Sequence, residues 1–295
     1  MAAPATLALG VARSKGLLFP DKRVIIISMS DILLLIGVIL PPPALDSLGV
    51  MRQEFTLQTP YGPAGPFARR DHVLVLPYSG LPDRTDPRAT LWAAKDLGVT
   101  RLIGWDAVIG LNPLLPRGSL LVPDDFIDWT RHQPTTFFER RGLGYLAQMP
   151  AFCPQCRQAL LQALPSAAAV GTYLGFDGPR RETAAEARLF RAWGSDILGL
   201  NLVPEVILAK ELELCFVGLT TVVEPGADRL AREGHVARQP DGEHNGEFRL
   251  ALRRVLDALP GIVTALQGPR TCACDQSQAG ARSRGALGAD WKTWF

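Results

Sequence analysis

Short apolar runs alternate along this chain with segments of helical periodicity, and that alternation leaves few architectures open. Residues 23–28, with Val24, Ile25, Ile26 and Ile27 in succession, read as a strand buried on both faces. The spacing predicts further strands over 72–77, 100–104, 119–122, 168–174, 196–200 and 215–223. Between them lie helical patterns. The first covers 86–97, with Asp86 as cap, Pro87 in the first turn and Gly98 as stop. Others cover 156–164, 183–193 with Thr183 and Glu186 as a capping box, 203–212 behind Pro204, and 247–266 with Phe248, Leu252, Val255 and Leu259 on one face. Alternation of this kind predicts α/β: a single domain over 20–267 with a mixed central sheet flanked by helices. Residues 1–19 read as an N-terminal extension. Residues 268–295, rich in Gly, Ala, Ser and Arg, read as a flexible tail. Trp291, Trp294 and Phe295 stand out in such a composition.

Charge excludes one class of partner. With 31 basic and 29 acidic residues the net charge is +2, so bulk electrostatics gives no footprint for nucleic acid. The apolar run from Val24 to Leu40 is short for a membrane span, holds Asp31, and stops at Pro41, Pro42 and Pro43. It reads as a buried strand followed by a short apolar helix rather than an anchor, and no membrane partner is expected. Five cysteines are present: Cys153, Cys156, Cys215, Cys272 and Cys274. Cys153 and Cys156 form one Cys-x-x-Cys with no second pair at zinc spacing and no His at a ligand interval, so no metal is expected.

Several motifs occur in a fixed order. They are Thr59-Pro60-Tyr61-Gly62, Leu91 to Gly98, Gly110-Leu111-Asn112-Pro113, Leu121 to Asp128, Arg131 to Phe138 and Phe152-Cys153-Pro154. Gly171 to Thr183 follows, and then Val203-Pro204-Glu205 with the residues to Lys210. Together they resemble the purine nucleoside phosphorylase family, most closely its methylthioadenosine phosphorylase branch. The similarity runs from about Thr59 to Leu266. It implies phosphorolysis of a purine nucleoside, methylthioadenosine-like or 6-oxopurine, to free base and a ribose 1-phosphate derivative. It also implies inorganic phosphate as co-substrate without other cofactor, a cytoplasmic homotrimer, and an aromatic from the 135–138 region closing a neighbour's pocket. Cys272-Ala273-Cys274 resembles a C-terminal feature of some thermophilic members, which leaves disulfides open beside free thiols.

The chemistry needs donors that hold a phosphate dianion below the sugar, a bed for the ribose, and an acid at the purine N7. The resemblance places the phosphate set at Ser30, Arg84, Ala107 and Asn201. Ser30 lies in the turn 28–31 after the first predicted strand, where Asp31 brings opposing charge and the family's glycines are missing. Tyr78 and Ser79 stand in place of an arginine-histidine pair, with Arg84 a few residues on. Around Ala107, Val108 and Ile109 are bulky where backbone should approach a ligand, and Asp106 reads either as a binder of hydroxyl or amine or as a turn cap. Base and ribose fall to Arg181, Glu182 and Leu200: Glu182 at the base edge, Arg181 stacking in place of a phenylalanine, Leu200 under the sugar. Glu224, just past the strand 215–223, is the catalytic candidate, an acid able to protonate the departing base. His235 and His244 read as loop residues of a lid. The altered phosphate motifs keep two alternatives open, a non-catalytic nucleoside-binding or scaffold relative and a nucleoside hydrolase in which water replaces phosphate.

Overall fold

A computed structural model describes residues 31–78, 86–139, 141–143, 145–234 and 246–295. Ser30, Arg84, His235, His244 and the strand expected at 23–28 lie outside the described residues.

The elements in chain order are β1 (Ile32–Gly37), β2 (Met51–Thr59), β3 (Gly62–Arg70), β4 (Val73–Pro77), α1 (Pro87–Asp96), β5 (Arg101–Gly110), β6 (Leu120–Leu121) and β7 (Asp125–Asp128). Then follow α2 (Pro154–Ala163), β8 (Thr172–Gly175), α3 (Ala184–Ala192), β9 (Ile197–Gly199), α4 (Glu205–Glu211), β10 (Cys215–Pro225), α5 (Ala227–Arg232), α6 (Gly246–Leu266) and α7 (Ala279–Ser283). The sheet runs β2-β3-β4-β1-β5-β9-β8-β7, with β10 on the other side of β5 and β6 beyond it. Strands β4, β1, β5 and β10 are parallel, whereas β2-β3-β4 and β5-β9 pair antiparallel, so the sheet is mixed as expected.

Strand β1 shows why the sheet is covered on both faces. Ile32, Leu34 and Ile36 enter the core shared with α2 and α6, while Leu33 and Leu35 enter the core shared with α1 and α4. Burying such a side chain contributes about 1.5–3 kcal/mol. The short helix expected after residue 28 is therefore corrected to a strand at Ile32–Gly37. A brief Ile/Leu run has no decisive period, and burial on both sides settles it as a strand. Helix boundaries follow their signals closely. Asp86 caps α1 by accepting from the Arg88 amide at 2.9 Å, and Thr183 with Glu186 closes the capping box of α3.

The terminal segment differs from the expected flexible tail. Residues 268–295 carry short helical turns and pack back on the domain. Trp294 is buried, Trp291 lies 5.4 Å from Trp92, and Phe295 lies 4.8 Å from Phe137 and 5.2 Å from Phe138. Large aromatic rings outweigh a polar, glycine-rich composition when a matching apolar surface is within reach. The same contacts bury Phe137 and Phe138 inside their own chain. Among the described residues no helix is long and apolar enough to cross a membrane.

Candidate active site

The long strand β5 changes neighbours at one residue. Its first part pairs with β1 up to the register Gly37–Asp106, and its last part pairs with β9 through Ile109 and Gly110. Asp106 thus sits where the sheet switches partner at the carboxyl ends of parallel strands, the place where open α/β sheets form crevices.

Asp106 is fully enclosed there. Its carboxylate accepts from Tyr173 Oη at 2.7 Å, Asn201 Nδ2 at 2.5 Å and the amides of Leu200 and Asn201 at 3.1 and 3.3 Å. Burial pushes its carboxyl above the ordinary value, and these hydrogen bonds pull against that shift. Its role is to fix the loop after β9. The backbone amides of the neighbours Leu200 and Asn201 both reach it, and the Asn201 side-chain amide is oriented by Asp106. Gly37 is small by necessity, since a Cβ would stand 2.6 Å from Asn201 Nδ2.

A second buried acid, unassigned by the sequence reading, lies close by. Glu205, the first residue of α4, is wholly buried and accepts from Tyr78 Oη at 2.5 Å. Burial raises its carboxyl to about 7, helped by the charges of Asp106 and Asp128. The signal for it was an acid heading the apolar run Val206, Ile207, Leu208 and Ala209. Glu211, at the other end of the helix, is raised to about 7 by burial and accepts from Thr136 Oγ1 and the Phe137 amide, each at 2.7 Å.

The base-side candidates meet at the end of β10. A bulge between Val222 and Glu224 shifts the register against β5 and re-aims the Glu224 side chain. Arg181 Nη1 donates to Glu224 at 2.5 Å, and its Nη2 reaches Glu182 at 3.3 Å. Arg117 lies 3.9 Å from the same Glu224 carboxylate. Glu182 also accepts from the Ala227 amide at 2.8 Å, tying it to the start of α5, while its Oε2 is buried without a hydrogen bond. Arg181, Glu182 and Glu224 therefore form one cluster, although they are separated in sequence.

On the phosphate side, Ser30 and Arg84 lie outside the described residues, and Ala107 and Asn201 can be placed. The carboxyl end of the first described strand is Gly37, so the turn after it begins there and not at residues 28–31. The Asp31 carbonyl accepts from the amides of Thr100 and Arg101, at the opposite end of the sheet from Asp106. Its charge does not face the crevice. Ala107 is half-buried in β5 beside Asp106. Val108 and Ile109 turn into the two cores, which removes the bulk expected at this position. Trp105 is buried in the strand and donates to Thr221 Oγ1 at 3.0 Å.

The sequence spacing gave no second cysteine pair, yet folding brings one. Cys153, Cys215, Cys272 and Cys274 converge, with all four Sγ atoms within 4.8 Å of one another. The partners come from β10 and the terminal segment, so no local spacing announces them.

A mixed α/β sheet with buried acids at its switch point and an Arg–Glu cluster at the end of β10 defines an α/β protein with charged groups gathered where such folds carry their sites. The chain belongs to the phosphorylase superfamily, whose family model matches residues 36–266. It is 30% identical to the 6-oxopurine nucleoside phosphorylase of Pyrococcus furiosus over 252 residues, covering 78% of this chain and 92% of that one. It is 34% identical to the purine nucleoside phosphorylase of Streptomyces coelicolor, covering 77% and 88%. A crystal structure of a variant of the adenosine/methylthioadenosine phosphorylase of Schistosoma mansoni, in complex with methylthioadenosine, superposes with a TM-score of 0.74 at 23% identity, over 87% of this chain and 99% of that one. That likeness carries the fold.

Proposed function

We propose that this chain is a pentosyltransferase that cleaves purine nucleosides with inorganic phosphate. Relatives named purine and 6-oxopurine nucleoside phosphorylases support the reaction class. A phosphate oxygen forms a bond to the anomeric carbon as the bond from that carbon to the purine nitrogen breaks. The electron pair leaves with the base, whose ring then takes a proton. The products are free purine and a pentose 1-phosphate, and phosphate is the only co-substrate required.

The observation that carries this reading is the cluster built by the β10 bulge, with Glu224 and Glu182 held by one guanidinium. Glu224 serves the departing base, and Glu182 reads its edge. Arg181 positions both and offers a flat cation for the purine to stack on. Leu200 lies under the ribose. On the anion side, Ala107 lets backbone approach, and Asn201, steadied by Asp106, donates to phosphate. Arg84 is assigned the balancing cation. The assembly is a homotrimer, measurable by light scattering. The compartment is the cytoplasm, in keeping with five cysteines none of which is joined in a disulfide.

The test is release of purine from inosine, adenosine and methylthioadenosine with and without phosphate. Release that requires phosphate is expected. Release at equal rate without phosphate would make the protein a hydrolase, and no release with ligand-independent melting would leave a scaffold.

A further inference from the structure

We propose that Cys153, Cys215, Cys272 and Cys274 bind one zinc ion as a closed tetrathiolate site that pins residues 268–295 to the domain. The four Sγ atoms lie within 4.8 Å of one another, and Cys215 and Cys272 are 3.4 Å apart. A tetrahedral site with metal–sulfur bonds of about 2.3 Å sets its sulfurs roughly 3.8 Å apart, so the thiols need only small side-chain rotations to close on an ion.

The scaffold behind the sulfurs is already fixed. The Cys153 amide donates to Phe216 O at 2.8 Å, which locks the start of α2 against β10 one residue beyond Cys215. The Cys215 amide donates to Thr100 O at 3.0 Å. The segment carrying Cys272 and Cys274 is tied on both sides. Gln155 donates to Pro269 O at 3.0 Å and accepts from the Thr271 amide at 2.9 Å. Arg270 donates to Glu213 O at 3.0 Å, Ser277 to Lys210 O at 2.6 Å and Gln278 to Glu211 O at 3.0 Å. Cys153 and Cys215 are buried, while Cys272 and Cys274 are partly open, so an ion has an entry path on the tail side.

The chemistry fits a borderline-soft ion. Four thiolates and no other ligand select zinc over hard cations, and the buried Cys153 and Cys215 leave no open position for water. Binding forms four sulfur–metal bonds as four thiol protons leave, with no change of oxidation state. The filled site carries two negative charges. Two cationic residues are tied to the same segment: Arg270 stands two residues before Cys272, and the Lys210 carbonyl accepts from Ser277 Oγ, three residues after Cys274. Cys156, buried three residues after Cys153, falls outside the group of four mutually close sulfurs.

The experiment uses the full chain, purified under reducing conditions without chelator, with metal content read by mass spectrometry. One zinc per chain is expected, and loss of it in the double variant Cys272→Ser/Cys274→Ser, whose changes fall on half-buried positions. Cobalt titrated into reduced, zinc-stripped wild type should give thiolate charge-transfer and tetrahedral d–d bands. Chelation should expose residues after 268 to protease while the domain stays intact. A reduced wild-type chain without zinc and without the cobalt bands, or peptide maps showing these cysteines joined as disulfides in the freshly purified protein, overturns the proposal. Full zinc retention in the double variant does so too.

Discussion

Tyr78 donates its phenolic hydrogen to Glu205 at 2.5 Å, joining the end of β4 to the first residue of α4 beneath the crevice. Burial raises the Glu205 carboxyl to about 7. The folded state therefore holds a proton that the unfolded chain gives up near its ordinary value of 4.5. Between those two values the native state binds more protons, so stability falls as pH rises from about 4.5 to about 7 and levels off above. Glu211, raised in the same way, adds to the slope with the same sign. The contribution of Glu205 is on the order of 3 kcal/mol. Urea unfolding at about pH 5 and pH 8 checks this: Glu205→Gln should lose a clear part of the wild-type difference. An unchanged difference in the variant counts against a buried, proton-holding Glu205.

Asp106 satisfies four donors at once, two from side chains and two from backbone. Asp106→Ala takes the acceptor away from the Tyr173 hydroxyl and the Leu200 amide at a buried position, while the Asn201 backbone amide keeps Tyr173 Oη as its acceptor. Each stranded donor costs about 1–3 kcal/mol, so a loss of about 2–6 kcal/mol is expected in chemical denaturation. Asp106→Asn keeps an acceptor and should cost less. Equal stability for all three proteins would mean the network does not organise the loop after β9.

How far the sequence foretold these features differs from residue to residue. Caps such as Asp86 and Thr183 were legible because their hydrogen bonds reach only two or three residues along the chain. The hairpin β2–β3 was hidden by Pro63, Pro66 and the two glycines Gly62 and Gly65 near its turn, and by bulges that break the alternation of faces. The cluster of Arg181, Glu182 and Glu224 was legible as candidates, but its ion pair spans 43 positions and depends on a bulge that no local pattern marks. The helix expected after residue 28 was misread because the short Ile/Leu run Ile32–Gly37 carries no decisive period of its own. The cysteine quartet was invisible for the same reason as the ion pair: Cys153 and Cys272 meet only after β10 lies between them.

Trp294 tests the docking of the terminal segment apart from any metal. Its ring is buried, its Nε1 donates to Gly288 O at 2.8 Å, and its carbonyl accepts from Arg141 at 2.6 Å. Removing such a ring from a packed site costs about 3–5 kcal/mol. Trp294→Ala should therefore release the segment locally, seen as faster amide exchange and protease cleavage after residue 268, with the global unfolding midpoint shifted less. Wild-type protection in the variant would show that the packing of Trp294 with Phe138 and Leu287 does not hold the segment.

Glu224 and Arg181 decide the catalytic reading. If Glu224 serves the leaving purine, Glu224→Ala removes proton donation or hydrogen bonding that matters most at the transition state, and kcat should fall by about 10²–10⁴ with KM changed far less. Arg181→Ala frees both carboxylates from their guanidinium and removes the stacking surface. That should raise KM for the nucleoside as well as lower kcat, because orientation is lost in the ground state too. Arg181→Lys retains charge but neither the fork nor the flat face, so rescue should be poor. The measurement is phosphate-dependent purine release under steady-state conditions, with circular dichroism and melting to confirm that each variant folds. A folded Glu224→Ala protein that turns over at the wild-type rate retires the role given to this residue, and with it the reading of the bulge at Val222–Glu224 as the element that aims the catalytic group.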